Sequence, residues 1–454
     1  MRGQTVSAWP ELRDSRTVTA GHAPGTVIHC GLMDVVMAEL PVSVVFCYER
    51  AVDIDRLAEG LSRALGHIPV FAGRIRPVEG GLEIVCDDSG ISMTTYDFDD
   101  TLAEVIGRFG MASSDFVDHV QAPAACKGEL PLCTVRVTRL SDGGMVVGCS
   151  WHHAVGDMHS FMLLMRAWSA FVEGMPPPAA ELITDPDTYL DAALPAADCG
   201  QPGLRLPDED EAAALMREIN SALRANRVVQ AFFTDAEIAR MKAEITLAAG
   251  RRLSTNDVLC GHVLSTLRAL DEDFEARSMA MPVNVRGRLD LPDSAVGNLV
   301  NEIYLTCAPK STAEAIAIDV RAGVNSFLDD HLSIRANRAF LESIGPDRLR
   351  ECFPLGFNPM RKTFAVTNWS RFGVYDIVFD GQAPALFSPV TNLALPWVGW
   401  FVEGFGGTGV LFVAALPARL ANRVRGADGR AALHVYRDVD EELPPLAQAV
   451  RKLA

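Results

Sequence analysis

The sequence predicts an α/β protein with two lobes, because strand-like and helix-like segments alternate through both halves of its 454 residues. A Pro-rich stretch followed by acidic residues separates the two halves. We therefore assign residues 1–195 to an N-terminal lobe, residues 175–212 to a crossover linker and residues 213–454 to a C-terminal lobe. A chain of this length can bury a large core in each lobe.

The first half contains the clearest helix and strand patterns. Apolar residues spaced three to four positions apart predict a helix over residues 53–66. Alternating side chains predict a strand over residues 130–140, followed by a hairpin turn over 141–144 and a partner strand over 145–151. A second helix follows, with its apolar residues on one face, and ends at Gly174.

The middle of the chain has no regular pattern. Three prolines after Met175 and an acidic segment predict an irregular linker that continues to about residue 212. Residues 228–233 then predict a strand that leads into a helix. A glycine-rich run at 404–409 has dinucleotide-binding spacing, but a strand pattern follows it rather than a helix, so we interpret it as a loop or hairpin turn.

Composition and charge narrow the possible partners. Hydrophobic residues make up 49% of the chain and charged residues 22%, which is typical of a well-packed globular protein. The formal net charge of −17 argues against nucleic acids and anionic membrane surfaces, because both require a basic face. The ten cysteines show no metal-type spacing, and no signal peptide or membrane-spanning stretch is found. We therefore expect reduced thiols and a cytoplasmic protein.

The residues most informative about function are His153 and Asp157, where an apolar strand ends and a helix soon begins. Side chains at strand ends often point into crevices, and an imidazole is suited to accept a proton near neutral pH. His153 could therefore act as a general base, with Asp157 orienting the imidazole, bonding the loop or pairing with an arginine. A purely structural histidine is the commoner alternative. We expect no metal, because a third ligand is missing and the adjacent His152 points the opposite way on an extended segment.

Five segments resemble, in the same order, motifs of the BAHD acyltransferases. The wider superfamily includes chloramphenicol acetyltransferase and the condensation domains of peptide synthetases. One segment is the His-x-x-x-Asp element of residues 153–157, and the others lie at residues 61–74, 254–262, 282–298 and 367–375. The resemblance spans roughly residues 30 to 420.

This resemblance implies two lobes of the chloramphenicol acetyltransferase type, with mixed sheets, helices and a central tunnel at the lobe interface. It implies an acyltransferase that moves an acyl group from acyl-CoA, a cosubstrate, to a hydroxyl or amine of a small-molecule acceptor. His153 would be the general base, with no acyl-enzyme intermediate and no permanently bound cofactor. A serine hydrolase is disfavoured because the chain lacks a G-x-S-x-G element.

The matched positions suggest further site residues. Thr367 would donate a hydrogen bond to the oxyanion, and Trp369 would lie at the reaction centre. We expect Arg286 to form a salt bridge with Asp157, and Arg288 is the alternative partner. The candidates for binding the substrate or CoA are Ser254, Thr255, Arg251, Arg252 and Lys310.

One late segment departs from the family pattern. Residues 378–384 match the family's D-F-G-W-G-K-P motif poorly, because Val378 and Gly381 replace its first Asp and its Trp. That motif is structural in the family, so the change does not exclude activity. Two alternatives stay open: a condensation-type enzyme that takes its acyl group from an acyl carrier protein, and a non-catalytic ligand-binding homologue. The retained His153 and Asp157 argue against the second.

Overall fold

The computed structural model describes residues 10–194, 201–271, 278–308, 311–329, 332–355, 363–390 and 397–447. The nine cysteines within these residues are free thiols. None of the helices in this part of the chain combines the length and the apolar content that crossing a bilayer requires.

The secondary structure is mixed, and strands and helices alternate as the sequence predicts. The described strands are β1 (Glu11–Val18), β2 (Val27–His29), β3 (Pro41–Tyr48), β4 (Arg74–Val78), β5 (Gly81–Val85), β6 (Ile91–Phe98), β7 (Cys133–Leu140), β8 (Met145–His152), β9 (Glu181–Leu182), β10 (Leu204–Arg205), β11 (Asn226–Phe233), β12 (Ser278–Asn284), β13 (Ala295–Val296), β14 (Val300–Thr306), β15 (Phe353–Pro354), β16 (Phe364–Trp369), β17 (Leu386–Pro389), β18 (Val398–Glu403) and β19 (Val410–Pro417). The described α-helices are α1 (Leu32–Val36), α2 (Ile54–His67), α3 (Leu102–Ala112), α4 (Ala122–Ala125), α5 (Met158–Val172), α6 (Pro186–Ala193), α7 (Glu209–Ala225), α8 (Asp235–Ala249), α9 (Thr255–Leu270), α10 (Ala313–Asp329), α11 (Leu332–Ile344), α12 (Ala418–Arg425) and α13 (Ala427–Leu433).

The first large sheet has six strands in the order β1-β6-β7-β8-β3-β17. Strands β6 and β7 are parallel, and the other neighbours are antiparallel. Helices α2 and α5 contact each other through a hydrogen bond from the indole of Trp168 to the backbone oxygen of Leu57, at 2.9 Å. Where α5 meets β8, Trp151 stacks on Phe161 with ring centroids 4.0 Å apart. These large buried side chains fix the end of β8 against the start of α5.

The second large sheet also has six strands, in the order β11-β19-β18-β16-β12-β14. Strand β16 is parallel to both β12 and β18, and the other neighbours are antiparallel. Buried residues of helices α8 and α9 share a hydrophobic core with β16, β18 and β19. The predicted α/β class with mixed sheets is therefore confirmed, as are the helix at α2 and the strand pair β7–β8.

Two features differ from the sequence assignment. The segment 175–212 is not an irregular linker, because it contains β9, α6, β10 and the start of α7. Its short strands pair with distant ones, β9 with β13 and β10 with β15, and such two-residue pairings leave no periodic signal in the sequence. Strand β17, which we assigned to the C-terminal lobe, instead completes the first sheet by pairing with β3.

The glycine-rich run at 404–409 is a turn, as expected. It contains a short 3-10 helix (Phe405–Gly407) and joins the antiparallel strands β18 and β19. Gly406, Gly407 and Gly409 all have positive φ angles, between 63° and 79°, which only glycine adopts readily. The glycines therefore shape a hairpin and do not frame a nucleotide site.

The altered late segment, residues 378–384, packs on the first half of the chain. The side chain of Phe379 is fully buried, with its ring 5.5 Å from that of Tyr48 and 4.9 Å from that of Trp168. The backbone of Val378 exchanges hydrogen bonds with the Ser169 hydroxyl, at 2.7 and 3.0 Å. These contacts are made with β3 and α5, and β17 follows the segment directly, so the segment anchors the added strand.

Candidate active site

A cavity of about 250 Å³ lies between the two large sheets. Its walls come from β3 and β17 on one side and from β14, β16 and β18 on the other. Most lining side chains are apolar, which suits a site that binds a small molecule away from water. The polar residues that line it include His153, Asn298, Thr367 and Ser43.

His153 is placed at this cavity by the end of β8. The last β8 residue, His152, donates its backbone N–H to the carbonyl of Leu132 at 2.8 Å, and the N–H of His153 bonds the carbonyl of Leu40 at 3.1 Å. A single 3-10 turn (His153–Val155) then leads to α5. These two hydrogen bonds fix the backbone at the end of β8, and the side chain of His153 lines the cavity.

The imidazole of His153 is bonded to Asn298, 145 residues further along the chain. Its Nδ1 lies 3.1 Å from Oδ1 of Asn298. Burial lowers the pKa of His153 below its ordinary value, although its own backbone, Asp157 and Asn298 oppose that shift. The ring is therefore neutral at pH 7, which is the form that can accept a proton.

Asn298 is in turn bonded to a buried carboxyl group that the sequence analysis did not identify. Its Nδ2 donates to Oδ1 of Asp34 at 2.7 Å and to the backbone oxygen of His153 at 2.6 Å. Burial raises the pKa of Asp34 to about 7, while the hydrogen bonds from Asn298 and the Gly31 backbone act in the opposite direction. One signal was available, since Asp34 is a lone charge inside the apolar run of residues 32–38. Asn298 was noted only as part of a motif.

Asp157 does not contact the imidazole and instead binds Arg286. Nη1 of Arg286 lies 2.7 Å from Oδ2 of Asp157, and Nη2 lies 3.3 Å from Oδ1. Both side chains are buried, with 0% and 5% of their surfaces exposed. Burial alone would raise the pKa of Asp157, but the charge and hydrogen bonds of Arg286 hold it below its ordinary value.

The Asp157–Arg286 pair connects the turn that carries His153 to the second half of the chain. Asp157 caps α5 by accepting from the backbone N–H of Ser160 at 2.9 Å, and it also accepts from the N–H of Leu299 at 3.1 Å. Arg286 bonds the backbone oxygen of Gly297 at 3.0 Å, next to Asn298. Arg288, the alternative partner, bonds the backbone oxygen of Asn284 instead.

His152 is enclosed by protein on the other face of the sheet. Its Nδ1 accepts from the backbone N–H of Ala154 at 3.2 Å, and its Nε2 lies 3.4 Å from the sulfur of Cys126. Its side chain is buried, and burial lowers its pKa to about 4. His152 does not line the cavity, so the two adjacent histidines have different environments.

Thr367 and Trp369 lie on β16, and both line the cavity across from β3. The other predicted binding residues that the structure describes do not line it. Ser254 caps α9, and Arg251 and Arg252 are exposed just before it. Thr255 is the first residue of α9, while Lys310 lies outside the described residues. The start of α9 still approaches the cavity, because Asn256 accepts from the side chain of the lining residue Asn368 at 2.7 Å.

No group of three or more His, Cys, Asp or Glu side chains in the described ranges is arranged to hold a metal ion. The polar groups that line the cavity are two imidazoles, two hydroxyls, two carboxylates and several amides, and the other lining side chains are apolar. The imidazoles are those of His153 and His159, the hydroxyls those of Ser43 and Thr367, and the carboxylates those of Asp157 and Glu302. Such a set can remove a proton and stabilise a developing oxyanion without any covalent link to the enzyme.

Comparison with known proteins identifies relatives of this chain in sequence and in fold. A profile described as the Transferase family matches residues 14–399. A malonyltransferase acting on pelargonidin 3-O-(6-caffeoylglucoside) 5-O-(6-O-malonylglucoside), from Salvia splendens, is 23% identical over 78% of this chain and 82% of its own length. Anthranilate N-benzoyltransferase protein 3 from Dianthus caryophyllus is 27% identical over 73% of this chain and 78% of its own length. The fold is similar to that of TRI101 from F. graminearum complexed with ethyl coenzyme A, with a TM-score of 0.72, 13% identity and coverage of 90% and 98%.

Proposed function

Since the chain belongs to the Transferase family, that of the BAHD-type acyltransferases, we propose that it transfers an acyl group from acyl-CoA to a hydroxyl or amine of a small molecule, with His153 as general base. The observation that carries this proposal is the placement of the imidazole at the cavity. His153 lines the space between the sheets and its Nδ1 is bonded to Asn298, so that Nε2 is the nitrogen left to accept a proton. The lowered pKa of the ring favours the neutral form that this role requires.

The reaction needs only one proton-transfer group. Nε2 of His153 takes the proton of the acceptor hydroxyl or amine as its oxygen or nitrogen attacks the thioester carbonyl carbon. The resulting tetrahedral oxyanion collapses, the C–S bond breaks, and the proton on Nε2 passes to the departing thiolate of CoA. His153 thereby returns to its neutral form, and no acyl-enzyme is formed.

Two other residues support this chemistry in our account. The Thr367 hydroxyl, which lines the cavity opposite β3, would donate to the oxyanion. Asp157 acts on the scaffold rather than on the substrate, because its carboxylate is committed to Arg286, Ser160 and Leu299. An anion directed into the cavity would repel the oxyanion, so a carboxylate neutralised by Arg286 fits the proposed step.

The relatives support acyl-CoA as the proposed acyl donor. TRI101 was solved with ethyl coenzyme A, and the two relatives above are named for malonyl and benzoyl transfer to O- and N-acceptors. The direct test is a mass-spectrometric screen in which the purified protein is given each of a panel of acyl-CoAs with a panel of alcohols and amines. The same acyl groups carried on the phosphopantetheine arm of an acyl carrier protein are tested in parallel.

We expect acylated product and free CoA from at least one acyl-CoA. Product formed only with the carrier-protein substrates would show that the carrier protein, and not CoA, is the donor, and it would favour the condensation-type alternative. Binding of acyl-CoA or acceptors with no product from either donor would instead favour a non-catalytic homologue.

A further inference from the structure

Asp34 is the buried carboxyl group nearest to the hydrogen-bond partner of His153, and the mechanism above does not use it. We propose that Asp34 is a positioning residue, which orients the Asn298 amide and thereby fixes the tautomer of His153. The inference rests on the proposed role of His153 as general base. The geometry that supports it consists of four hydrogen bonds among three side chains and two backbone groups.

The orientation of the Asn298 amide follows from its neighbours. Its Nδ2 is 2.7 Å from Oδ1 of Asp34 and 2.6 Å from the backbone oxygen of His153. The backbone oxygen is an acceptor, and so is the ionised carboxylate of Asp34, whose other oxygen accepts from the N–H of Gly31. With Asp34 ionised, the NH₂ group must face these two acceptors and the amide oxygen must face the imidazole. Because an amide oxygen can only accept, the hydrogen of His153 must be on Nδ1.

Asp34 makes this orientation strongly preferred. A flipped amide would place its oxygen against both the carboxylate and the carbonyl, leaving two buried acceptors without a donor. A hydrogen bond to a carboxylate is also roughly twice as strong as one between neutral groups. The backbone oxygen of His153 alone would hold the NH₂ group much less firmly, so the carboxylate is the group that selects the tautomer.

Asp34 is itself rigidly held. It lies in the first turn of α1, is 3% exposed, and its Oδ2 accepts from the backbone N–H of Gly31 at 2.7 Å. One oxygen therefore bonds the helix start and the other bonds Asn298. When His153 accepts a proton during the reaction, the oriented amide oxygen also stabilises the new positive charge through the Nδ1–H bond.

The test uses Asp34→Asn, Asn298→Ala and the double variant in the full-length protein. We expect kcat to fall about 10-fold or more in each single variant, with KM changed by less than about 2-fold, by analogy with other groups that orient a functional histidine. The double variant should be no slower than Asn298→Ala, because Asp34 acts only through Asn298. A double variant in which the two losses multiply would overturn the proposal.

Asp187→Asn is the matched control. The carboxylate of Asp187 also bonds the start of α1, accepting from the backbone N–H of Leu32 at 3.0 Å. It should keep a normal kcat; a loss equal to that of Asp34→Asn would show that loosening α1 is the cause. Should Asp34→Asn fail to fold, Asp34→Ser keeps a small capping group for Gly31 and carries the same expectation.

A readout independent of turnover separates this inference from the proposed function. In ¹⁵N NMR of histidine-labelled protein, with the His153 signals identified by their loss in His153→Gln, we expect a single Nδ1–H tautomer. In Asp34→Asn the Nδ1 and Nε2 shifts should move toward each other as the tautomers mix. Unchanged shifts and an unchanged kcat would refute the positioning role. A changed tautomer combined with full activity of His153→Ala would refute the general base and leave the positioning contact standing.

Discussion

Both terminal nitrogens of the Arg286 guanidinium bind the carboxylate of Asp157, at 2.7 and 3.3 Å. The two residues are 129 positions apart in the sequence. This buried pair joins the turn that carries His153 to the strands of the second sheet. The other partners of the pair are backbone groups, the Ser160 hydroxyl and the amide oxygen of Asn284, so the pair acts on the shape of the site.

We therefore predict that Asp157→Asn destabilises the fold as well as lowering the rate. Removing one partner of a buried ion pair typically costs about 3–5 kcal/mol in the free energy of unfolding, because the other charge stays buried without compensation. Denaturant unfolding measures the change. Asp380→Asn is the control, because Asp380 pairs with Arg56 where both are about half exposed, and it should change stability little. Unchanged unfolding of Asp157→Asn with lost turnover would point to a direct catalytic role.

The pH dependence of the rate should reflect the lowered pKa of His153. The working form is the neutral imidazole, and burial moves its protonation below the ordinary value of about 6.5. As pH falls from 8, kcat/KM should therefore decline in part near pH 7, where Asp34 becomes protonated, and be lost fully only below about 6.5, where His153 becomes protonated. A decline that is already complete at pH 7 would mean a raised pKa, and would contradict the environment described for this ring.

The altered segment at 378–384 should matter for stability and not for binding the donor. Phe379→Ala removes a ring buried against Tyr48 and Trp168, and such truncations cost about 3–5 kcal/mol. We expect a lower melting temperature with an unchanged KM for acyl-CoA in the folded enzyme. A raised KM without loss of stability would show that this segment contacts the donor.

Thr367 can be tested with a conservative pair of substitutions. Thr367→Val removes the hydroxyl while preserving the shape of the side chain, and kcat should fall about 10²–10³-fold if that hydroxyl stabilises the oxyanion. Thr367→Ser retains the hydroxyl and should retain most of the activity. Equal rates for the two variants would assign Thr367 to the wall of the cavity alone.

Local features of the fold were predictable because their signals are local. The helix α2 and the strand pair β7–β8 follow from periodicity, and the hairpin turn between β18 and β19 follows from glycine spacing. The pairing of β17 with the first sheet was missed, because a four-residue strand has no sequence signal that indicates its partner strand. The structured segment 175–212 was missed for the same reason.

For the site as well, residues within recognisable motifs were predictable and residues brought together only by the fold were not. His153, Asp157 and Arg286 were identified from a motif and a resemblance, and the structure places the last two in contact. Asp34 was not identified, because its significance depends on Asn298, 264 residues away, and only the folded chain brings them together. Ser254 and Thr255 were assigned to binding by position, but they lie at the start of α9, outside the cavity wall.

The central claim is that His153 is the general base, and the most direct measurement is the kcat of His153→Ala together with its affinity for acyl-CoA. Positioned proton transfer typically contributes about 10²–10⁴-fold, so turnover should fall by that factor while the dissociation constant for acyl-CoA stays near the wild-type value. His152→Gln is the internal control: it alters a ring outside the cavity and should retain far more activity. Near-normal turnover in His153→Ala, with the activity lost in His152→Gln, would contradict the account.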